Sequence, residues 1–355
     1  MHTKTNLKAL TPQQVVSFVH DAGLPSFRAR QLLHWIYEKC AHSIGEITEF
    51  SLALRKRLSV QSYLSNLTLL KRQTSEDGTE KFLFALEDGE SIESVLIPDK
   101  NRLTLCISSQ VGCGMGCLFC LTGTLGFKRN LKAYEIVDQG IAVSRIITPK
   151  RITHIVFMGM GEPLLNFDEV VDSLCRMTDL MKISKRRITL STAGIVPRIL
   201  ELGGAGGSVR RTGPPPRMRA PRVNLAISLN APTDKVRDML MPINKTYPLK
   251  SLIDACRRFP LEPRRRITFE YVMLNGINDS TADARRLITL LKGIPSKVNL
   301  IPFNPYRGCV FGRPSDETVF TFQKILLDAH MTALIRKSKG QDILGACGQL
   351  KAGYR

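Results

Sequence analysis

Apolar and polar positions along the chain change rhythm twice. Thr11-Pro12-Gln13-Gln14 offers an N-cap and a proline at the first helical position, and Val15, Val16, Phe18 and Val19 continue as an apolar stripe, so a helix opens there. Pro25 to Gln31 opens a second, with Leu32, Leu33, Trp35 and Ile36 on one side and Arg28, Arg30 and Lys39 elsewhere, and a third helical piece falls near 52–58. Alternation then predicts strands around 67–71, 80–86 and 92–97, joined by turns at Asp77-Gly78 and Asp88-Gly89. From Leu103 onward short apolar runs alternate with helix-period stretches, which predicts βα units. The expected strands are 104–108, 154–158, 187–191, 223–228, 267–272 and 298–302, and the helices between and after them include 133–144, 168–181, 249–258, 283–291 and 317–329. Six such units build an α/β barrel, closed or stopping short of closure, whose reacting groups belong on the loops after the strand C-termini.

One stretch breaks the pattern. Residues 203–222 are rich in Gly, Pro and Arg and lie between a helix and a strand, reading as a flexible basic loop that either touches a polyanion or is an insertion without a role. The apolar runs are far shorter than the roughly 18 to 20 residues of a membrane span. No bilayer crossing is expected, and the first ten residues lack an apolar secretory core, so the cytoplasm is the expected compartment.

Charge and cysteine content narrow the function. The chain has 51 Lys+Arg against 31 Asp+Glu, a net charge of +20. A surplus of that size points to a polyanionic partner, and to nucleic acid before a membrane because no strongly amphipathic basic helix stands out; a plainly solvated basic surface is the alternative. Nine cysteines, an odd number in a reducing compartment, argue for metal binding or catalysis over a disulfide framework. Three of them, Cys113, Cys117 and Cys120, form a C-x3-C-x2-C run on the loop after the first barrel-type strand. A closed zinc site takes four ligands, and no second CxxC or His pair lies nearby. Three thiolates fit a 4Fe-4S cluster with one iron left open.

This motif in this place resembles the radical S-adenosylmethionine (SAM) superfamily, and Gly161-Glu162-Pro163 after the second barrel strand is similar to that superfamily's SAM-binding segment. The resemblance narrows at Ser108 to Cys113, at MGMGEPLLN (Met158 to Asn166), at Leu190-Ser191-Thr192, at Met241 to Asn244, at NLIPFN (Asn299 to Asn304), and at Ala346-Cys347-Gly348-Gln349-Leu350. Together with PSFRARQLLHWIY at Pro25 to Tyr37 these resemble the bacterial dual-specificity adenine C2 methyltransferases, through nearly the whole chain. The fold so implied is a partial (β/α)6 radical SAM barrel at 91–340, with a mainly helical RNA-binding accessory domain at 1–90 and a tail at 341–355 folded over the barrel mouth.

The resemblance also implies a chemistry. One 4Fe-4S cluster on Cys113, Cys117 and Cys120 and two SAM molecules per turnover would methylate C2 of an adenosine in 23S rRNA and in tRNA beside the anticodon. Cys347 would carry the methyl group and Cys106 would resolve the covalent adduct through a disulfide with Cys347. Glu93, on a strand with apolar flanks, matches the family's proton acceptor, and whether Glu93 or Cys106 takes the C2 proton stays open. The implied SAM contacts are Gly161, Glu162, Ser191, Ser228, Leu229, Asn230 and Asn304, with Asn230 standing where the family commonly has His. A flavodoxin or ferredoxin would supply electrons, and a monomer is expected. Basic residues of the N-terminal unit (Arg28, Arg30, Lys39) and of barrel-mouth loops (Lys128, Arg129, Lys185 to Arg187, Arg264 to Arg266) are the expected RNA contacts. Cys40, Cys175 and Cys256 read as small apolar residues in helical patterns, Cys309 as a loop residue, and Trp35 as core. Two other functions share the cluster: the related adenine C8 rRNA methyltransferase of antibiotic resistance, and a non-catalytic iron-sulfur RNA-binding protein.

Overall fold

The computed structural model describes residues 4–204 and 220–350. Most of the Gly/Pro/Arg-rich stretch, including Arg210, Arg211, Pro214 to Pro216, Arg217 and Arg219, lies outside the described residues, as do the last five. Helices α1 (Pro12–Asp21), α2 (Phe27–Tyr37) and α3 (Leu52–Gln61) form the N-terminal unit. The first is fixed by a capping box: Thr11 Oγ1 accepts from the Gln14 N–H at 3.2 Å and Gln14 Oε1 accepts from the Thr11 N–H at 2.8 Å. Val15, Val19, Leu32, Ile36 and Leu58 bury the inner faces of these helices.

The rest is organised by one ten-stranded sheet. Its strands are β1 (Thr68–Thr74), β2 (Glu80–Ala85), β3 (Ser91–Asp99), β4 (Arg102–Cys106), β5 (His154–Phe157), β6 (Ile188–Thr192), β7 (Asn224–Ser228), β8 (Ile267–Met273), β9 (Ser296–Pro302) and β10 (Ala333–Ile335). They lie in chain order across the sheet with β1 and β10 at its edges, so the sheet does not close on itself. β4 to β10 are parallel, while β1 to β4 are joined as antiparallel neighbours. Between the parallel strands run α4 (Ala133–Ile147), α5 (Phe167–Cys175), α6 (Val196–Leu202), α7 (Asp234–Leu240), α8 (Leu249–Arg258) and α9 (Thr281–Leu291), with α10 (Asp316–Asp328) leading into β10. All six expected barrel strands form within two residues of their expected ends. A seventh parallel strand, β10, is only three residues long, too short for its periodicity to be read.

The expected division at residue 90 falls inside a hairpin. β2 and β3 pair antiparallel from Glu80↔Leu96 to Ala85↔Ser91, so strands on both sides of that position belong to the barrel sheet. Alternation identifies a strand without saying which sheet it joins, and here the first three extend the barrel wall. The helical unit docks through buried polar pairs. Lys8 Nζ lies 2.5 Å from Asp138 Oδ1 on α4, and Arg176, in the π-turn Arg176–Leu180 that follows α5, donates to the Lys8 carbonyl at 2.6 Å and the Tyr37 hydroxyl at 2.9 Å.

Candidate functional site

The loop carrying Cys113, Cys117 and Cys120 leaves a short strand, Gln110–Gly112, that pairs with Phe127–Asn130. Gly112 holds φ at +74°, and a Cβ there would sit 2.0 Å from the Gly126 carbonyl oxygen, so the turn that aims the cysteines inward accepts only glycine. The three cysteines line a cavity of about 940 Å³, counted out to its open mouth. All are free thiols. Burial pushes the Cys113 thiol up to about 11 and raises Cys117 and Cys120 as well, with the neighbouring thiols adding to the shift at all three. Ionising all three would therefore need positive charge in the cavity to hold them as thiolates. Among the described residues no group of three His, Cys, Asp or Glu converges tightly enough for a single ion. Three cysteines lining one cavity are the donor set of a 4Fe-4S cluster with one iron left open, and fall one short of the four ligands of a closed zinc site.

The opposite wall comes from the loop after β5. Gly161 has φ +98°, and a Cβ there would meet the Gln110 side chain at 2.6 Å; Gln110 Oε1 in turn accepts from the Glu162 N–H at 2.8 Å. This close approach sets Glu162 in the cavity wall, where its carboxylate accepts from the backbone N–H groups of Leu164 at 3.0 Å and Ala193 at 2.7 Å. Burial raises its pKa against the pull of those bonds. Ser191, Ser228, Asn230 and Asn304 line the same cavity, each at or beyond a strand C-terminus. Leu229 does not. Strand alternation turns it away from Ser228 and Asn230, its side chain is fully buried in the main core, and its N–H and carbonyl are taken by the Glu270 carbonyl and Arg237 Nε. Asn230 adopts φ +59°, accepts from the Val272 N–H at 2.9 Å and gives its carbonyl to Asn278, so its polar groups hold the loop in place.

A second cavity, about 550 Å³ to its mouth, joins the first at Cys347, Arg336, Met158 and Asn304, which line both. Cys347 rides on the C-terminal strap, pinned by the Leu121 N–H on the Gly348 carbonyl at 2.7 Å, by Thr122 Oγ1 on the Leu350 carbonyl at 2.7 Å and by Gln349 Nε2 on the Pro305 carbonyl at 3.0 Å. Cys106, at the end of β4, lines this second cavity in an apolar cluster with Val95, Met160 and Leu350. Burial and then the neighbouring Cys347 push its thiol up to about 12, while Arg336 pulls the other way. Both cysteines are free thiols.

Glu93 lies on β3 two residues before Val95, and therefore on the same inward face. It lines neither cavity. Apolar flanks do not leave its carboxylate alone: Lys81 Nζ, equally buried, lies 3.1 Å away and also donates to the Leu344 carbonyl of the strap at 3.3 Å.

Residues 5–64 match the ribosomal RNA large subunit methyltransferase N-terminal domain family, and 107–288 match the radical SAM superfamily. The chain is 50% identical over 353 residues, 99% of its own length and 97% of the relative's, to a protein named dual-specificity RNA methyltransferase RlmN from Pelobacter propionicus. It is 49% identical over 353 residues to the one from Geobacter sulfurreducens, covering 99% of this chain and 93% of that one. The chain belongs to the RlmN family of radical SAM methyltransferases. The crystal structure of a radical SAM methyltransferase from Sphaerobacter thermophilus matches with a TM-score of 0.89 at 41% identity, covering 98% of this chain and 99% of that one. As a radical SAM enzyme, this RlmN family member uses a 4Fe-4S cluster and SAM. No helix among its described residues is long and apolar enough to cross a membrane.

Several of the expected RNA contacts are elsewhere than expected. Lys185 to Arg187 precede β6 and Arg264 to Arg266 precede β8, which puts both runs at the strand N-termini, the end opposite the cavity mouth. They also serve the protein itself: Lys185 pairs with Glu262 at 2.6 Å and Arg266 bonds Thr332 at 2.7 Å. Lys128 and Arg129 are on the mouth side but are neutralised by Glu90 at 2.8 Å and by Asp88 and Glu135 at 2.6 and 2.8 Å. Two charged residues inside the RlmN family cavity were not anticipated. Glu270 interrupts the apolar run of β8; its Oε1 accepts from Asn299 at 2.9 Å, while its buried Oε2 has no hydrogen-bond partner among the described residues and lies 4.0 Å from Arg336. A charge within ITFEYVM was visible in the pattern. Arg336, one residue beyond β10, carried no such signal.

Proposed function

We propose that the chain methylates C2 of an adenosine in 23S rRNA, in the peptidyl transferase region, and in tRNA beside the anticodon, through a methyl group first carried on Cys347. The placement of Cys347 supports this most directly: the strap sets it in the wall common to the cysteine-lined cavity and the cavity that holds Cys106. C2 is an electron-poor sp2 carbon without a nucleophilic lone pair, so direct displacement on the sulfonium methyl of SAM does not reach it. Bound in the first cavity, the cluster with SAM supplies a methyl group and a hydrogen-abstracting radical. Cys113, Cys117 and Cys120 would hold the cluster, and Gly161, Glu162, Ser191, Ser228, Asn230 and Asn304 would shape the SAM site around it.

The chain's own residues carry the methyl group from there. Cys347 sulfur accepts it, and after hydrogen removal the carbon on that sulfur bonds to C2. The adduct loses the C2 proton, to Glu93 or to Cys106, and one electron, which the oxidised cluster would take. Cys106 then attacks Cys347 sulfur as a thiolate: an S–S bond forms, the C–S bond breaks, and the carbon leaves with the electron pair and takes a proton to become the methyl group. The apolar cluster around Cys106 keeps water from this step. A low-potential flavodoxin or ferredoxin serves as electron donor, and the chain works as a cytoplasmic monomer.

Nucleoside mass spectrometry of rRNA and tRNA from a strain lacking the gene tests this reading. Loss of 2-methyladenosine is expected; loss of 8-methyladenosine, or no change, contradicts it.

A further inference from the structure

Arg336, Lys337, Ser338 and Lys339 leave the end of β10 and line the second cavity beside Cys106 and Cys347. Arg336 is committed inward, against Glu270 and against Met158 Sδ at 3.7 Å. Lys337 and Lys339 are not: among the described residues neither makes an ion pair or a side-chain hydrogen bond. This separates them from Lys128, Arg129 and Lys185, whose charges are spent on acidic neighbours. Their segment is nevertheless fixed on both sides, by the Arg336 N–H donating to the Leu300 carbonyl at 2.8 Å before them and the Gly340 N–H donating to Asp77 Oδ2 at 3.0 Å after them, with Ser338 Oγ donating to Asn304 Oδ1 between. The cavity they border is mixed, with Ile97, Met158, Ile301 and Leu350 in its wall and Asn304, Arg336 and the two lysines beside them.

Apolar side chains in the wall suit the faces of a planar heterocycle, and free ammonium groups on a fixed rim suit phosphates. On the proposed chemistry the target base meets Cys347 in this cavity; we propose that Lys337 and Lys339, on its rim, clamp the phosphates flanking that base. This rests on the reading that RNA is the substrate. A nucleotide taken out of its stack needs its backbone held where the base enters, and phosphate contacts supply position without reading sequence. The lysines are positioning residues: they would fix the base beside Cys347 and touch neither the cluster nor SAM.

The test uses the holoenzyme and its Lys337→Gln, Lys339→Gln and double variants, binding a fluorescein-labelled anticodon stem-loop over a KCl series. Each lost contact should reduce the slope of log K against log[salt] by about 0.7, and the double variant should lose about 1.4. SAM binding, and the RNA-independent methylation of Cys347 read from intact-protein mass, should stay at wild-type values. A wild-type slope in the double variant overturns the clamp. So does an equal reduction from Lys185→Gln at the far end of the barrel, which would show a response to net charge alone. If the wild-type holoenzyme leaves the stem-loop adenosine and 23S rRNA unmethylated, the RNA reading itself fails and takes the clamp with it.

Discussion

Replacing Lys81 with Met probes the interior face that carries both Glu93 and the strap. In the wild type the Lys81 ammonium and the Glu93 carboxylate are 3.1 Å apart with side chains only 5% and 4% exposed. Removing one partner of a pair so enclosed leaves the other charge uncompensated, which costs about 3 to 5 kcal/mol, against at most about 1 kcal/mol for an exposed pair. Glu93→Gln should be destabilising for the same reason, by leaving the ammonium unmatched. The double variant Lys81→Met/Glu93→Gln removes both charges and should recover most of the loss, since no buried charge is then left unpaired. Urea unfolding of the four proteins gives the coupling as the difference between the double variant and the sum of the singles. The same substitution removes the donor to the Leu344 carbonyl, so Cys347 should react faster with iodoacetamide. A Lys81→Met loss under about 1 kcal/mol, or a double variant as unstable as the sum of the singles, would refute the buried-pair account.

Gly161→Ala forces a side chain into φ +98° and against Gln110, costing at least the roughly 1 to 2 kcal/mol of a left-handed residue. It should also weaken SAM binding by displacing Glu162, which calorimetric titration would show. Cys106→Ala should accumulate an RNA–protein crosslink through Cys347, visible as a shifted band on a denaturing gel, and clean turnover would contradict the resolving role. The Cys106 thiol is raised from 9.0 to about 12, so the folded protein holds that proton longer than the unfolded chain. Its contribution to stability is therefore complete below pH 9 and lost as pH rises toward 12, and Cys106→Ala should flatten the fall in urea midpoint over that window.

The barrel was legible because its strands are short, apolar and separated by well-marked helices; Leu249–Arg258 was read to the residue. The cluster loop was legible because ligand spacing is local in sequence. What was not legible depends on partners distant in the chain. Lys81 is one cation in the strand EKFLFA, and only the pairing of β2 with β3 brings it to Glu93. The runs at Lys185 and Arg264 look alike to a mouth loop until strand direction is known, because a basic stretch before a parallel strand and one after it differ only by which end they reach. Leu229 sits between two cavity residues in sequence, yet alternation takes it to the other side. Arg336 follows a three-residue strand that no periodicity marks.

The central claim is that Cys347 carries the carbon that ends on C2. The direct measurement is a single turnover in which the holoenzyme, first methylated at Cys347 with trideuterated methyl and freed of labelled SAM, meets unlabelled SAM and RNA. The account predicts 2-methyladenosine whose methyl group holds two deuterium atoms and one protium, with the label lost from the Cys347 peptide. A product with three deuterium atoms, or an unlabelled product with the label still on Cys347, would contradict it.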